Sequence, residues 1–221
     1  MKLIPKKTKD FGYLEIHDLY TEDELNDIWK EIFFLDYVMD LPRFRKERGE
    51  SSANHDDGSP KMNGSGIFLD GLYTEREFSM ILKHNRKLFS GEVIENVGKS
   101  HPANKVSYSM VNKDTTLLNK YRNSQEYAPH HDLASFTGLT VLMHQPEKIR
   151  GGEFSFPDYK INFGARHNSC VIFPSWVDHA VSKLHCFGDS RRYSIAQPMF
   201  ILGSEGRKQL EQNQQQEIVN E

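Results

Sequence analysis

Tyr127-Ala128-Pro129-His130-His131-Asp132 is answered downstream by Phe173-Pro174-Ser175-Trp176-Val177-Asp178-His179 and then by Arg192-Tyr193-Ser194-Ile195. In a strand, side chains alternate between faces, so His130 and Asp132 project to one side and His131 to the other. His130 is therefore the ligand candidate, and His131 is not. Two histidines and one carboxylate gathered on strands form a facial triad, the three-ligand set that leaves coordination positions open on a non-haem Fe(II). Imidazole and carboxylate suit that metal, and no cysteine stands near them to argue for a closed structural zinc site. A downstream arginine adds a partner for an acidic cosubstrate.

The His-x-Asp motif carries little weight alone. With ten histidines and fourteen aspartates in 221 residues, roughly 0.6 such matches arise by chance. The chain has a second one, His55-Asp56-Asp57, inside a Gly, Ser and Asn-rich run ending in Gly58-Ser59-Pro60. Turn residues of that kind cannot preset ligand geometry, so this copy reads as a solvated decoy. His130 and Asp132 stand out because strand-like segments follow them: Leu139–Met143, Phe154–Phe156, Ser169–Phe173 and Tyr193–Ala196, with Val106–Val111 ahead of them. Short apolar strands separated by Gly and Pro suggest a sandwich or jelly roll whose mouth holds a ligand.

The N-terminal part reads differently. Residues 11 to 16 form a short strand, and Thr21-Glu22-Asp23-Glu24 is a capping box that starts a helix with Leu25, Ile28, Trp29, Ile32 and Phe33 on one face. A second capping box, Thr74-Glu75-Arg76-Glu77, predicts a helix lined by Phe78, Ile81, Leu82 and Phe89 and stopped by Gly91. Both stripes read as scaffold core. Residues 42 to 66, polar and turn-rich with Pro42, Arg43, Arg45, Lys46 and Arg48, predict a mobile irregular loop, either a lid or plain surface. The expected organisation is one α+β domain. Residues 1–105 supply the N-terminal strand and helices with loop 42–66, residues 106–203 the barrel, and residues 204–221, rich in glutamine, a polar tail.

A net charge of −3, with 28 Lys and Arg against 31 Asp and Glu, gives no electrostatic footprint for nucleic acid or an anionic membrane. No apolar run is long enough to span a bilayer. Cys170 and Cys186 make no disulfide framework, which fits a reducing cytoplasm.

Taken in order, Tyr127-x-Pro-His130-x-Asp132, Gly151-Gly152-Glu153-Phe154-Ser155-Phe156, Phe173-Pro174 before His179, and Arg192-Tyr193-Ser194 resemble the 2-oxoglutarate and Fe(II)-dependent oxygenase superfamily, closest to its prolyl and lysyl hydroxylase branch. The resemblance implies a double-stranded β-helix, a jelly roll, with Fe(II) held by His130, Asp132 and His179. It implies 2-oxoglutarate as cosubstrate, its far carboxylate on Arg192, and O2 as oxidant, with ascorbate as an accessory reductant. Tyr121 matches a family tyrosine near the cosubstrate. Where the branch often has a further tyrosine touching the cosubstrate carboxylate, this chain presents His144, four residues after Thr140. Arg191, the rival of Arg192, lies on the opposite face of its strand. The implied reaction hydroxylates a C–H bond, of a peptidyl proline or lysine first and of a free amino acid or other small molecule second. A zinc hydrolase and a jelly-roll module without turnover are the rival readings.

Overall fold

The computed structural model describes residues 1–203; the polar tail expected over 204–221 lies outside them. Strands β1 (Lys2–Lys7) and β2 (Gly12–His17) pair as a hairpin. Helix α1 (Glu22–Val38) then starts on the expected capping box, with Thr21 and Glu24 satisfying each other's backbone N–H groups. Helix α2 (Pro42–Glu50) and strand β3 (Ser65–Phe68) follow. Helices α3 (Met80–His84), α4 (Gly91–Ser100) and α5 (Pro102–Ser109) complete the helical layer. The barrel strands are β4 (Lys113–Asp114), β5 (Leu117–Tyr121), β6 (Tyr127–His130), β7 (Phe136–His144), β8 (Ile149–Gly151), β9 (Phe154–Phe156) and β10 (Ile161–Asn162). They continue with β11 (Ser169–Pro174), β12 (His179–Val181), β13 (Leu184–Cys186) and β14 (Arg191–Phe200).

The major sheet runs in the order β1-β2-β11-β7-β14-β5-β3, with β4 added to β14; the minor sheet runs β10-β9-β12-β6, and β13 pairs with β8. Alternation along the major strands gives the molecule two cores. Leu139, Val141 and Met143 of β7 and Val171 and Phe173 of β11 point inward to Phe154, Phe156 and Val181 of the minor sheet. Leu142, Cys170, Ile172, Tyr193 and Ile195 point outward to Ile28, Ile32 and Leu35 of α1 and to Ile81, Val93 and Val97 of the other helices. The architecture is an α+β double-stranded β-helix backed by helices on its major sheet.

Four local expectations are corrected. Residues 106–109, expected as part of a strand, end α5, which starts with Pro102 at its first position and the His101 ring accepting from the Ala103 N–H; the barrel therefore begins at Lys113 rather than at 106. Residues 42–50 form a helix rather than an irregular loop, although Pro42 at its N-terminus is a regular start signal. The box at Thr74–Glu77 caps no α-helix: α3 starts later, where the Ser79 hydroxyl accepts from Leu82 N–H, and Gly91 begins α4 behind the cap Ser90. Of the α1 stripe, Phe33 is 49% exposed, and Leu35 and Met39 take its place in the core. Among the described residues no helix is long and apolar enough to cross a membrane, and Cys170 and Cys186 are free thiols.

Candidate metal centre and cosubstrate pocket

Strands β6 and β12 pair antiparallel with His130 opposite His179, which brings the two imidazole rings to a centroid separation of 4.2 Å. Each ring is held by its own chain. His130 Nδ1 lies 2.9 Å from the Ala128 carbonyl and His179 Nδ1 lies 3.0 Å from the Val177 carbonyl. A carbonyl oxygen only accepts, so Nδ1 carries the proton in both rings and each Nε2 keeps a free lone pair for a metal. Burial, and then the neighbouring His179, push the pKa of His130 down to about 3, so this imidazole is neutral at physiological pH.

Asp132 lies just past the end of β6, so strand alternation is not what aims it. Its backbone N–H donates to the Ser175 carbonyl (3.0 Å), and its Oδ2 accepts from the Thr137 hydroxyl (2.6 Å), which in turn lies 2.9 Å from the Ser175 hydroxyl. This polar chain turns the carboxylate toward both histidines. Asp132 Oδ1 is 3.8 Å from His130 Nε2, and Oδ2 is 3.6 Å from His179 Nε2. One ligand atom from each of the three residues lies within 4.8 Å of the other two. His131 turns away to the exposed Asp178, 3.2 Å distant.

Inside the barrel, Arg192 of β14 stands between Tyr121 of β5 and Met143 of β7. It is 0% exposed, its guanidinium carbon sits 5.0 Å from the centre of the Tyr121 ring, and burial lowers its pKa. None of its three guanidinium nitrogens has a hydrogen-bond acceptor among the described residues. An isolated buried cation costs several kcal/mol, so this position suits an anion, and the fork of N–H donors fits a carboxylate. The donor set and this orphaned guanidinium together fit a divalent metal and an acidic cosubstrate. Gly152, at φ +71°, leaves room for this arginine, because a Cβ there would stand 3.0 Å from Arg192 Cδ.

His144 is corrected. It lies at the end of β7 on the outward face, against Trp29 and Phe33 of α1, and the strand's alternation keeps it out of the barrel. Arg191 also faces outward, 3.9 Å from Asp36. The decoy His55-Asp56-Asp57 is an exposed turn in which Asp57 accepts from Ser59.

The sequence reading left Arg48 of α2, Asn119 of β5 and Tyr127 of β6 without a role. The Tyr127 ring lies on the His130 ring, with centroids 3.6 Å apart and planes 16° apart, and its hydroxyl accepts from Ala53 N–H at 3.1 Å. Together with His130, Asp132, His179 and Tyr121 these residues line a cavity of about 130 Å³. A wider mouth of about 430 Å³, bordered by Ser52, Asn54, Lys61 and Leu133, adjoins it. Tyr127 was legible as part of the motif. Arg48 stood in a charged stretch where no spacing marked it.

Residues 116–198 match the family model described as the 2OG-Fe(II) oxygenase superfamily. No curated protein matches at the sequence level. Among solved structures, a Pseudomonas putida prolyl-4-hydroxylase superposes with a TM-score of 0.57 at 12% identity, covering 87% of this chain and 94% of that one. A Trichoplax adhaerens prolyl hydroxylase, in complex with a hypoxia inducible factor oxygen degradation domain peptide fragment, gives 0.57 at 12% identity over 86% and 83%. An oxidoreductase of the 2OG-Fe(II) oxygenase family from Burkholderia pseudomallei gives 0.51 at 10% identity over 86% of each chain. At these identities the likeness is one of fold.

Proposed function

We propose that this chain is a 2OG-Fe(II) oxygenase, the superfamily whose model residues 116–198 match, and a hydroxylase acting on a C–H bond of a peptidyl proline or lysine. The observation that carries the reading is a three-ligand cluster and an orphaned buried guanidinium inside one barrel. His130, Asp132 and His179 would hold Fe(II), and Arg192, with the Tyr121 ring beside it, would take the far carboxylate of 2-oxoglutarate. When bound, metal and cosubstrate supply the hard chemistry: O2 is reduced as 2-oxoglutarate is decarboxylated to succinate, and one oxygen atom enters the substrate.

The chain's own residues bind, orient and exclude water. Thr137 and Ser175 hold Asp132 in line, and the Ala128 and Val177 carbonyls keep both imidazoles in the ligating tautomer. Tyr127 closes one wall over His130 and ties it to the segment at Ala53. A prolyl acceptor is supported by fold likeness to prolyl hydroxylases, one of them in complex with a peptide. A free amino acid or other small molecule is the second acceptor class. A zinc hydrolase would share the three ligands but leave Arg192 without a function.

The test is a turnover screen with Fe(II), ascorbate and 2-oxoglutarate across peptides and free amino acids. Succinate release coupled to a +16 mass shift in one acceptor is expected. Anaerobic addition of Fe(II) and 2-oxoglutarate should give a weak visible charge-transfer band, and the absence of both band and succinate overturns the reading.

A further inference from the structure

Arg48 is a second cation in the barrel that the proposed cosubstrate leaves unused. It is the one residue of α2 that is buried, 3% exposed, and it lines the iron-side cavity. Among the described residues its guanidinium makes a single hydrogen bond, from Nε to Asn119 Oδ1 at 2.6 Å. The guanidinium carbon lies 5.3 Å from the centre of the Tyr127 ring. Asn119 is neutral and is itself within 3.5 Å of the Ser194 hydroxyl. Among the described residues the only acid lining the cavity is Asp132, which is assigned to the metal.

The charges of the loaded site then leave one over. A divalent metal, one carboxylate ligand, a dianionic cosubstrate and Arg192 cancel, because imidazole ligates a metal as the neutral ring. Arg48 stands beyond that balance, and buried charges are normally paired. Gly66 is part of the arrangement, because a Cβ there would meet Asn119 Oδ1 at 2.9 Å and Arg48 Cδ at 3.1 Å. The fold thus makes room for a guanidinium at this wall.

We propose that Arg48 is a recognition residue for a carboxylate that the primary substrate carries close to its reacting carbon. The inference rests on the oxygenase reading above and adds the substrate's charge. The carboxylate belongs either to a free amino acid or to an acidic residue beside the target in a peptide, and both present the same group to the guanidinium fork.

The experiment uses the full chain loaded with redox-inert Zn(II) and saturating 2-oxoglutarate, and reads ligand binding by NMR line broadening. Four probes are titrated: N-acetyl-L-proline, N-acetyl-L-prolinamide, and two proline pentapeptides that differ by Asp or Asn beside the proline. Wild type should bind at least one carboxylate probe ten-fold or more tightly than its neutral counterpart. Preference within the first pair identifies a small-molecule acid, and preference within the second an acidic peptide. Arg48→Gln should erase the preference. Asn119→Asp, isosteric and placing a counter-charge on Arg48 from within, should erase it too without removing the arginine, which guards against an Arg48→Gln variant that folds poorly. No discrimination by charge, including no binding of any probe, overturns the proposal, as does a ten-fold loss of 2-oxoglutarate affinity in Arg48→Gln, which would give Arg48 to the cosubstrate. Failure of 2-oxoglutarate to bind wild type at all is the separate result that defeats the oxygenase reading.

Discussion

At Arg192 a single side chain links stability to function. A fully buried guanidinium with no acceptor among the described residues costs stability by itself, and in the proposed reading it is offset when a carboxylate binds. Arg192→Met should therefore leave the ligand-free fold as stable as wild type or more so, because neutral volume replaces an unpaired charge. It should also weaken 2-oxoglutarate binding by about ten- to hundred-fold, the equivalent of one charge-assisted hydrogen bond of ~1.5–3 kcal/mol. Calorimetric titration with metal present checks the second effect and thermal unfolding the first; unchanged cosubstrate affinity would move the role elsewhere. Thr137 makes a complementary case. Its hydroxyl donates to Asp132 Oδ2 at 2.6 Å, an outer contact of the kind that orients a ligating carboxylate. Thr137→Val keeps the shape and removes the donor, so metal affinity should fall about 10- to 100-fold. A Mn(II) titration followed by electron paramagnetic resonance measures this, and an unchanged affinity would show that the Ser175 backbone contact alone suffices.

Helix α1 is fastened to the barrel by one buried lysine. Lys120 of β5 is 0% exposed and donates to the Asp36 carbonyl at 2.6 Å, with Asp40 Oδ2 at 2.8 Å and Asp36 Oδ1 at 3.3 Å. Lys120→Met should cost about 3 kcal/mol, the low end for breaking a buried pair because both aspartates keep some contact with water. Urea unfolding at neutral pH checks it. Burial by itself would raise the Asp40 carboxyl, but the Lys120 hydrogen bond and the charges of Lys120, Arg122 and Arg45 outweigh it and leave its pKa below the ordinary range. A depressed carboxylate binds its proton more weakly folded than unfolded, so its contribution is complete above the ordinary Asp pKa near 4 and is lost as pH falls through the depressed value. The stability difference between wild type and Asp40→Asn should thus be flat from pH 7 to about 4 and shrink below. A difference that shrinks already between pH 7 and 5 would contradict this. The same junction shows where the sequence stops being readable. The strands holding His130 and Arg192 were visible because alternation and turn residues are local signals, whereas β12, which carries His179, has only three residues and offers no such pattern. Helix α2 was not, because its one buried residue is Arg48, whose anchor Asn119 lies 71 positions away. Ser79 displaced the Thr74 box because Glu31 of α1 accepts from both the Ser79 hydroxyl and the Ile81 N–H, a tertiary contact no window of residues contains. Val106-Ser-Tyr-Ser-Met-Val111 alternates like a strand, yet Tyr108 is buried against Phe89 and Phe136 and donates to the Leu88 carbonyl, which holds the segment as a helix.

Across the whole molecule the major sheet belongs to two cores at once, and this governs how the protein should unfold. Its outward residues pack against the helices and its inward ones against the minor sheet, so neither layer can leave without exposing the sheet they share. A single cooperative transition follows, with the N-terminal helices and the barrel as one domain. The two tryptophans report on different layers. Trp29 of α1 stacks on His167 and packs on Tyr193, whereas Trp176 meets Phe11 at the barrel rim. In Trp176→Phe the remaining fluorescence follows the helical layer, and in Trp29→Phe it follows the barrel. Each variant is compared with its own far-UV circular dichroism, and the fluorescence and dichroism midpoints should coincide in both. The proposed sites for metal and 2-oxoglutarate lie inside the barrel, so the effect of these ligands on Trp29 in the helical layer is the sharper measure. At one hundred times its dissociation constant a ligand adds about 2.7 kcal/mol, or about 5–10 °C for a chain of this length. That shift should appear equally in the Trp29 and Trp176 signals. If Trp176 moved with ligand while Trp29 melted at an unchanged temperature, the helices would be a separate unit. Arg48, carried into the cavity by α2, would then rest on a support that melts independently of the metal centre.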